Sequence, residues 1–513
     1  MSHHETPVTA VDEVIVGAGL TGLVYGCVAA RDRRVVVLEK HIKPGGYATN
    51  FKRHDDAYVF DCSMHRITGM GDQDNLADAL RRAGLLSRIA FHECDHQMTF
   101  VIGHRRLRLS GGAGGRTLAH EELKSLFPNE ATALDRFFAD VTSCGLQSYM
   151  MGRIALGEFA IDPDVFVRSR QLSRMTMRDY LAGLFKDRCL FVLLASLSTD
   201  FGSDPDETDA LYYLHFVYAF LVTRNCYVKG SSQYLSDTLA DELQRRGGQL
   251  LCSERVKCID THDGGVSRVH TRRRVFETQR VVFTGCPHHA TELLPPGDAR
   301  DTFARKLEKL SFSLGTFVVY LGLSAPPHAL GITDSDYLVV PPDYLDDAAA
   351  LRGPNRHAAR PMAISNYPML DPAYGNTLQL GITEPGEEWL ALPRAEYKAS
   401  KKRVAQILID RACAQFPALR QAIRYVDAST PRTNRKYTNS GGGSAFGYTP
   451  APRRNISMLH APPLRGLEFV GTWVNGPGYE TAMGIGFAAA TLHQRRLDAL
   501  ACPTQSQEKR HAC

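Results

Sequence analysis

The stretch VDEVIVGAGLTGLVYGCVAARDRRVVVLEK, residues 11–40, constrains the fold more than any other part of the chain. Gly17, Gly19 and Gly22 stand between two runs of β-branched residues. Glu13–Val16 predicts a short buried strand, Leu20–Ala30 a helix of small and apolar residues, and Arg34–Leu38 a second strand ending at Glu39. This strand–turn–helix–strand context lifts GxGxxG above a chance match. Gly17 permits the tight turn, Gly19 lets a pyrophosphate approach the backbone, and Gly22 lets helix and strand pack closely. The helix N-terminus at Leu20 then offers unpaired N–H groups and a positive dipole end to the phosphates. Glu39 lies 22 residues after Gly17, near the spacing of an acid that holds a ribose hydroxyl. An acid there favours an unphosphorylated ribose, hence FAD or NAD over NADP.

The residues after Glu39 choose between those two. Lys40 opens the segment KHIKPGGYATNFKRHDDAYVFD, in which Gly45-Gly46 would bring a second piece of backbone against the phosphates. A nicotinamide-only domain would usually go straight into its next crossover helix. No second strand–GxGxxG–helix appears, so a separate nicotinamide domain is not expected. GGAGG (Gly111–Gly115) and GGG (Gly441–Gly443) lack the following helix and are read as flexible loops.

Composition narrows the function classes. The 513 residues are 44% hydrophobic, and 60 basic against 55 acidic residues leave only +5. Arg272–Arg274 and Lys401–Arg403 are solvated faces rather than a nucleic-acid stripe, so no nucleic-acid partner is expected. Twelve cysteines are scattered singly, with no spacing suited to zinc, as expected of a reducing compartment. No secretory signal is expected, and the longest apolar run, Leu211–Val222, falls short of the roughly 20 residues that span a bilayer. A cytoplasmic location follows, with peripheral membrane contact left open. That run is read as a core helix of a substrate domain, or else as the wall of a tunnel for a long apolar substrate.

Five segments in order resemble the phytoene desaturase, carotenoid isomerase and retinol saturase family of FAD proteins, from about Val11 to about Leu500. They are the fingerprint with KPGGYATNF, FDCSMHRITG with His65, YVKGSSQYLSDTLADELQRRGGQLLCSERVKCI, TPRTNRKYTNSGGGSAFGYTPAPRR, and LEFVGTWVNGPGYETAMGIGFAAATLHQRRLDAL. Thr472 stands where the family often has Asp, and Ser63 where it often has Gly. The resemblance implies an α/β fold, with a Rossmann-type FAD-binding domain assembled from residues 11–105, 225–300 and 455–500. An α+β substrate domain, 106–224 and 301–454, would be interleaved with it, and residues 1–10 and 501–513 would be flexible tails. Gln249–Ile259 is expected as one strand bringing Val256 to the adenine. Gly471, Thr481 and Ala482 would approach the flavin, near a helix beginning at about Thr481.

The expected activity is FAD-dependent desaturation, saturation or isomerisation of carbon–carbon bonds in a long apolar, polyene or isoprenoid-like substrate, with hydride transfer at flavin N5. Oxygen or a quinone would be the electron acceptor. His65 and Glu480 are the acid/base candidates; the alternatives are a hydrogen-bonded structural histidine and a helix N-terminal acid. Tyr437 and Tyr479 are candidates for contact with substrate. Two other functions fit the fingerprint: a flavin amine or amino-acid oxidase, with Trp473 as half of an aromatic pair, and a non-catalytic carrier of lipidated partners.

Overall fold

A computed structural model describes residues 8–62, 66–72, 74–94, 96–111, 118–158 and 163–501. Five short strands form one parallel sheet in the order Gln249–Leu251, Val35–Leu38, Glu13–Val16, Val281–Phe283, Leu467–Phe469. Val14, Ile15, Val36 and Val37 are completely buried, as the continuous β-branched runs require of a sheet covered on both faces. The strands come from three distant parts of the chain, which is the discontinuous Rossmann-type assembly expected. The fingerprint helix Leu20–Ala29 packs on this sheet together with Ser231–Arg245 and the C-terminal helix Tyr479–Ala501.

The second layer system is a seven-stranded mixed sheet. Its order is Ile423–Ser429, Gly315–Leu323, Thr377–Glu384, Met362–Ser365, Asp336–Val340, His96–Ile102, Arg105–Ser110. Period-two alternation divides its side chains between two cores. Met98, Phe100 and Ile102 face the helices Ala131–Ala155, Met177–Leu184, Arg188–Ser196 and Ala210–Val217. Val101 faces the opposite core, with Phe317, Leu380 and the helix Arg394–Gln415. An outer four-stranded sheet, ordered Val8–Ala10, Val275–Glu277, Gly265–His270, Cys258–His262, completes the dinucleotide half.

Several expected boundaries move. His96–Ile102 pairs with Asp336–Val340, so the first dinucleotide segment ends before residue 96 rather than at 105. Val8–Ala10 is a paired strand, not part of a tail, and the last helix runs through Ala501. Gln249–Ile259 is broken, because Cys252–Lys257 leaves the parallel sheet before Cys258–His262 joins the outer one. The apolar stretch Tyr180–Leu197 is two helices, broken after Leu184 and restarted by the Asp187 side chain, which accepts from Leu190 N. Gly441–Gly443 is a 3₁₀ turn, while residues 112–117 lie outside the described residues.

Candidate active site

One cavity of about 1760 Å³ runs from the glycine fingerprint to the helices of the second core. Its first half is backbone. Gly17 has φ +109°, which strains any other L-residue, and its N–H donates to Leu38 O at 2.9 Å. A Cβ on Gly22 would lie 2.1 Å from Gly17 O, so only glycine lets the helix start this close to the turn. Gly19 caps the helix and pairs with Gly45 in a parallel bridge, and Gly45 N donates to Ala18 O at 2.7 Å. Gly17, Gly19, Leu20, Gly45 and Gly46 all face the cavity. A Cβ on Gly19 would meet nothing within 4 Å, which leaves room beside the helix N-terminus for a diphosphate.

Glu39 closes this cradle. Its carboxylate accepts from Ala18 N at 2.9 Å and His41 N at 2.8 Å, which fixes its orientation and leaves lone pairs for hydroxyl donors. Its own backbone pairs with Leu251 O and Glu254 N, which brings the Glu254–Val256 loop and Val256 to the cavity wall. Lys40 also borders the cavity, but its Nζ donates to Lys436 O and Asn439 Oδ1 at 2.9 and 2.8 Å, tying down the end of the helix Pro431–Thr438. Burial, with Arg255 beside it, pulls the Lys40 ammonium down to about 8. Tyr437 stands at this end, edge-on to His41 with ring centroids 5.7 Å apart, and so is placed at the rim of the cradle.

The second half of the cavity is aromatic. Tyr212, His215, Phe216, Tyr218 and Phe220 project into it from one continuous segment. Their neighbours Tyr213, Leu214, Val217 and Leu221 are completely buried in the core behind. The Leu211–Val222 run is thus core on one side and cavity wall on the other. It changes at Tyr218–Val222 from α- to π-helix, closed by Thr223 N donating to Tyr218 O. Phe216 and Phe220 stack at 5.3 Å. Across from them the helix Ala131–Ala155 contributes Leu146, Tyr149 and Met151, and Leu146 and Met151 are about half exposed where the cavity opens. Burial lowers the His215 imidazole to about 4, so it is neutral at physiological pH.

Glu480 stands where the halves meet. It opens the C-terminal helix between Tyr479 and Thr481-Ala482, all cavity-lining. Its carboxyl accepts from the Thr68 hydroxyl, and Gly69 at φ +74° leaves it space: a Cβ there would lie 2.5 Å from the carboxyl carbon. Burial pushes the Glu480 carboxyl up to about 7; Thr68 opposes the shift and the Asp74 carboxylate adds to it. Both acids also bear on the Tyr218 phenol of the aromatic wall. His65, three residues before Thr68, lies outside the described residues. Gly471, expected at the flavin, does not line the cavity; it backs onto Thr21 of the fingerprint helix with φ +107°. Trp473 also lines the cavity and is edge-on to Tyr448 and Phe312, with interplanar angles of 75° and 90°.

Sequence reasoning missed Thr68, Asp74 and the buried Arg66–Asp336 ion pair at 3.0 Å on the cavity wall. The first two lie in RITGMGDQDN, whose glycines between a strand and a helix are the available signal. Asp336 has none, because its register in the second sheet places it.

Fold and site together define a dinucleotide-dependent oxidoreductase of the flavoprotein type. A family model for an NAD(P)-binding Rossmann-like domain matches residues 15–83. The all-trans-retinol 13,14-reductase of Danio rerio is 23% identical, over 90% of this chain and 82% of its own length. The chloroplastic prolycopene isomerase of Arabidopsis thaliana is 24% identical, over 92% and 80%. Within its class, then, the chain resembles the carotenoid isomerase and retinol saturase family throughout. Cyclohexylamine oxidase from Brevibacterium oxydans shares the fold, with a TM-score of 0.59 at 16% identity over 95% of this chain and 99% of its own. Among the described residues no helix is long and apolar enough to cross a membrane.

Proposed function

We propose that the protein is an FAD-dependent oxidoreductase that desaturates, saturates or isomerises carbon–carbon bonds of a long apolar substrate, of polyene or isoprenoid type. The observation that carries this reading is the continuity of the glycine cradle with the aromatic arm, with a protonatable carboxyl at their junction. The relatives named for a retinol reductase and a prolycopene isomerase support a polyene as the substrate class. FAD, when bound, supplies the two-electron acceptor or donor.

The chain's own residues do the rest. Backbone at Gly17–Leu20 and Gly45–Gly46 holds the diphosphate, and Glu39 accepts ribose hydroxyls with its free lone pairs. Thr481 and Ala482, in the first turn of the last helix, would face the flavin ring and favour negative charge on it. Phe216, Phe220 and Tyr149 hold an extended apolar chain and keep water from it. Desaturation needs a group to take a proton beside the reacting carbon, and saturation needs one to give it. Glu480 serves either direction, because its carboxyl near 7 is present in both forms at neutral pH. His65 is the second acid/base candidate. Oxygen or a quinone is the acceptor for an oxidative reaction.

The test is an anaerobic titration of the flavin-loaded protein with a long polyene, followed by flavin absorbance, with amines as controls. Loss of the oxidised-flavin band with the polyene alone supports the reading in the desaturating direction. If the band is unchanged, the same protein reduced beforehand should saturate or isomerise the polyene. Loss of the band with amines alone would replace this reading by the amine oxidase one.

A further inference from the structure

The outer sheet carries a grouping unrelated to the cavity. Its edge strand Cys258–His262 runs antiparallel to Gly265–His270 through a tight hairpin, with Asp263 and Gly264 at φ +50° and +72°. The register sets Cys258 opposite His270 and Ile259 opposite Val269. Ile259 and Val269 are buried in the core below. Period two therefore puts Cys258, Asp260 and His270 together on the other face. The thiol sulfur, a carboxylate oxygen and an imidazole nitrogen all lie within 4.8 Å of one another. His270 Nε2 is already 2.6 Å from Asp260 Oδ2.

We propose that Cys258, Asp260 and His270 form a zinc site on this hairpin, with water as fourth ligand. A thiolate, an imidazole and a carboxylate are a donor set for Zn²⁺; Mg²⁺ and Ca²⁺ take oxygens. Bonds of about 2.0–2.3 Å to a tetrahedral ion need donors roughly 3.3–3.7 Å apart. Small rotations of Cys258, which is exposed, bring its sulfur inward from the present spacing of up to 4.8 Å, and a rotation of the half-buried Asp260 opens its 2.6 Å contact with His270 to that range. Arg268 stands opposite Asp260 on the same face and is exposed, so its guanidinium can remain in water. The site closes the free end of an edge strand that begins two residues after Val256, on the cavity wall. Linear spacing shows no zinc motif because the ligands come from two strands and only register unites them.

The test is a titration of the full-length protein with Co²⁺, read as a difference spectrum. The expected result is one equivalent giving a thiolate-to-cobalt charge-transfer band with tetrahedral visible bands, abolished by stoichiometric Zn²⁺. Cys258→Ser should remove the charge-transfer band. His270→Ala should weaken binding by at least about tenfold, the smallest loss seen when even an outer-shell partner is removed. Asp260→Asn, which preserves side-chain shape, should also weaken binding without lowering the melting temperature of the metal-free protein. Absence of the band in the wild type, or a band that survives Cys258→Ser, overturns the proposal.

Discussion

The two halves of the cavity are built by opposite means. The cradle is backbone held open by glycines within one stretch of about thirty residues, and its one essential side chain, Glu39, is fixed by two backbone N–H groups. The aromatic arm is all side chain, and its walls are helices far apart in sequence, Ala131–Ala155 and Ala210–Val217. A cradle made of turns suits a ligand recognised by phosphate and hydroxyl geometry. An arm of packed rings suits a ligand with little to offer except apolar surface. Damage to each half should therefore separate cleanly into cofactor retention and substrate affinity, with turnover set at the junction.

The sharpest break comes from Gly22→Val. Its side chain would meet Gly17 O, and overpacking of this kind costs about 3 kcal/mol. The variant should purify without flavin and melt earlier; a yellow, fully loaded protein would show that the turn tolerates displacement. Next is Glu480→Gln, which should lower turnover by roughly 10²–10⁴ while leaving flavin content and substrate affinity unchanged. The wild-type rate should change with a midpoint near pH 7, and the variant should lose that transition.

The same proton also links to stability. The Glu480 carboxyl binds its proton more tightly in the folded state than in the unfolded one. Its contribution is therefore greatest below the ordinary glutamate range and is lost as pH rises to about 7. Chemical denaturation of the flavin-free protein across that window, compared with Glu480→Gln, measures it.

Glu39→Ala removes a charge-assisted hydrogen bond of about 1.5–3 kcal/mol, which should weaken FAD binding roughly ten- to hundredfold by dialysis or fluorescence titration. The smallest effect is expected in the arm. Phe216→Ala removes one ring of cavity-lining apolar surface, so a long substrate loses roughly 0.5–1.5 kcal/mol of buried contact and its KM should rise about two- to tenfold with flavin affinity untouched. A change in flavin affinity there would mean that the halves are mechanically coupled.

The difference between the halves also explains what was legible beforehand. Gly17, Gly19, Gly22 and Glu39 are readable because their geometry is imposed by neighbours in sequence. The Leu211–Val222 run is recognisable as apolar, but its division into core-facing Val217 and cavity-facing Phe216 is set by what packs on either side. Likewise, the sequence suggests an acid at Glu480 but not its raised acidity range, which arises from burial and the Asp74 carboxylate against the opposing Thr68 hydrogen bond. The placement of Tyr437 on the cavity wall is likewise tertiary, because the Lys40 contacts with Lys436 and Asn439 hold that helix end beside the cradle.

By itself the amino-acid sequence determined the strand–turn–helix that makes a dinucleotide cradle, since positive φ and close approach at glycine are local properties. It also determined which segments are buried, through their hydrophobic runs. Tertiary structure alone decided which strands share a sheet, which rings face the cavity, and which titratable groups meet across it. Those outcomes depend on register and long-range packing, and neither is written in the spacing of residues along the chain.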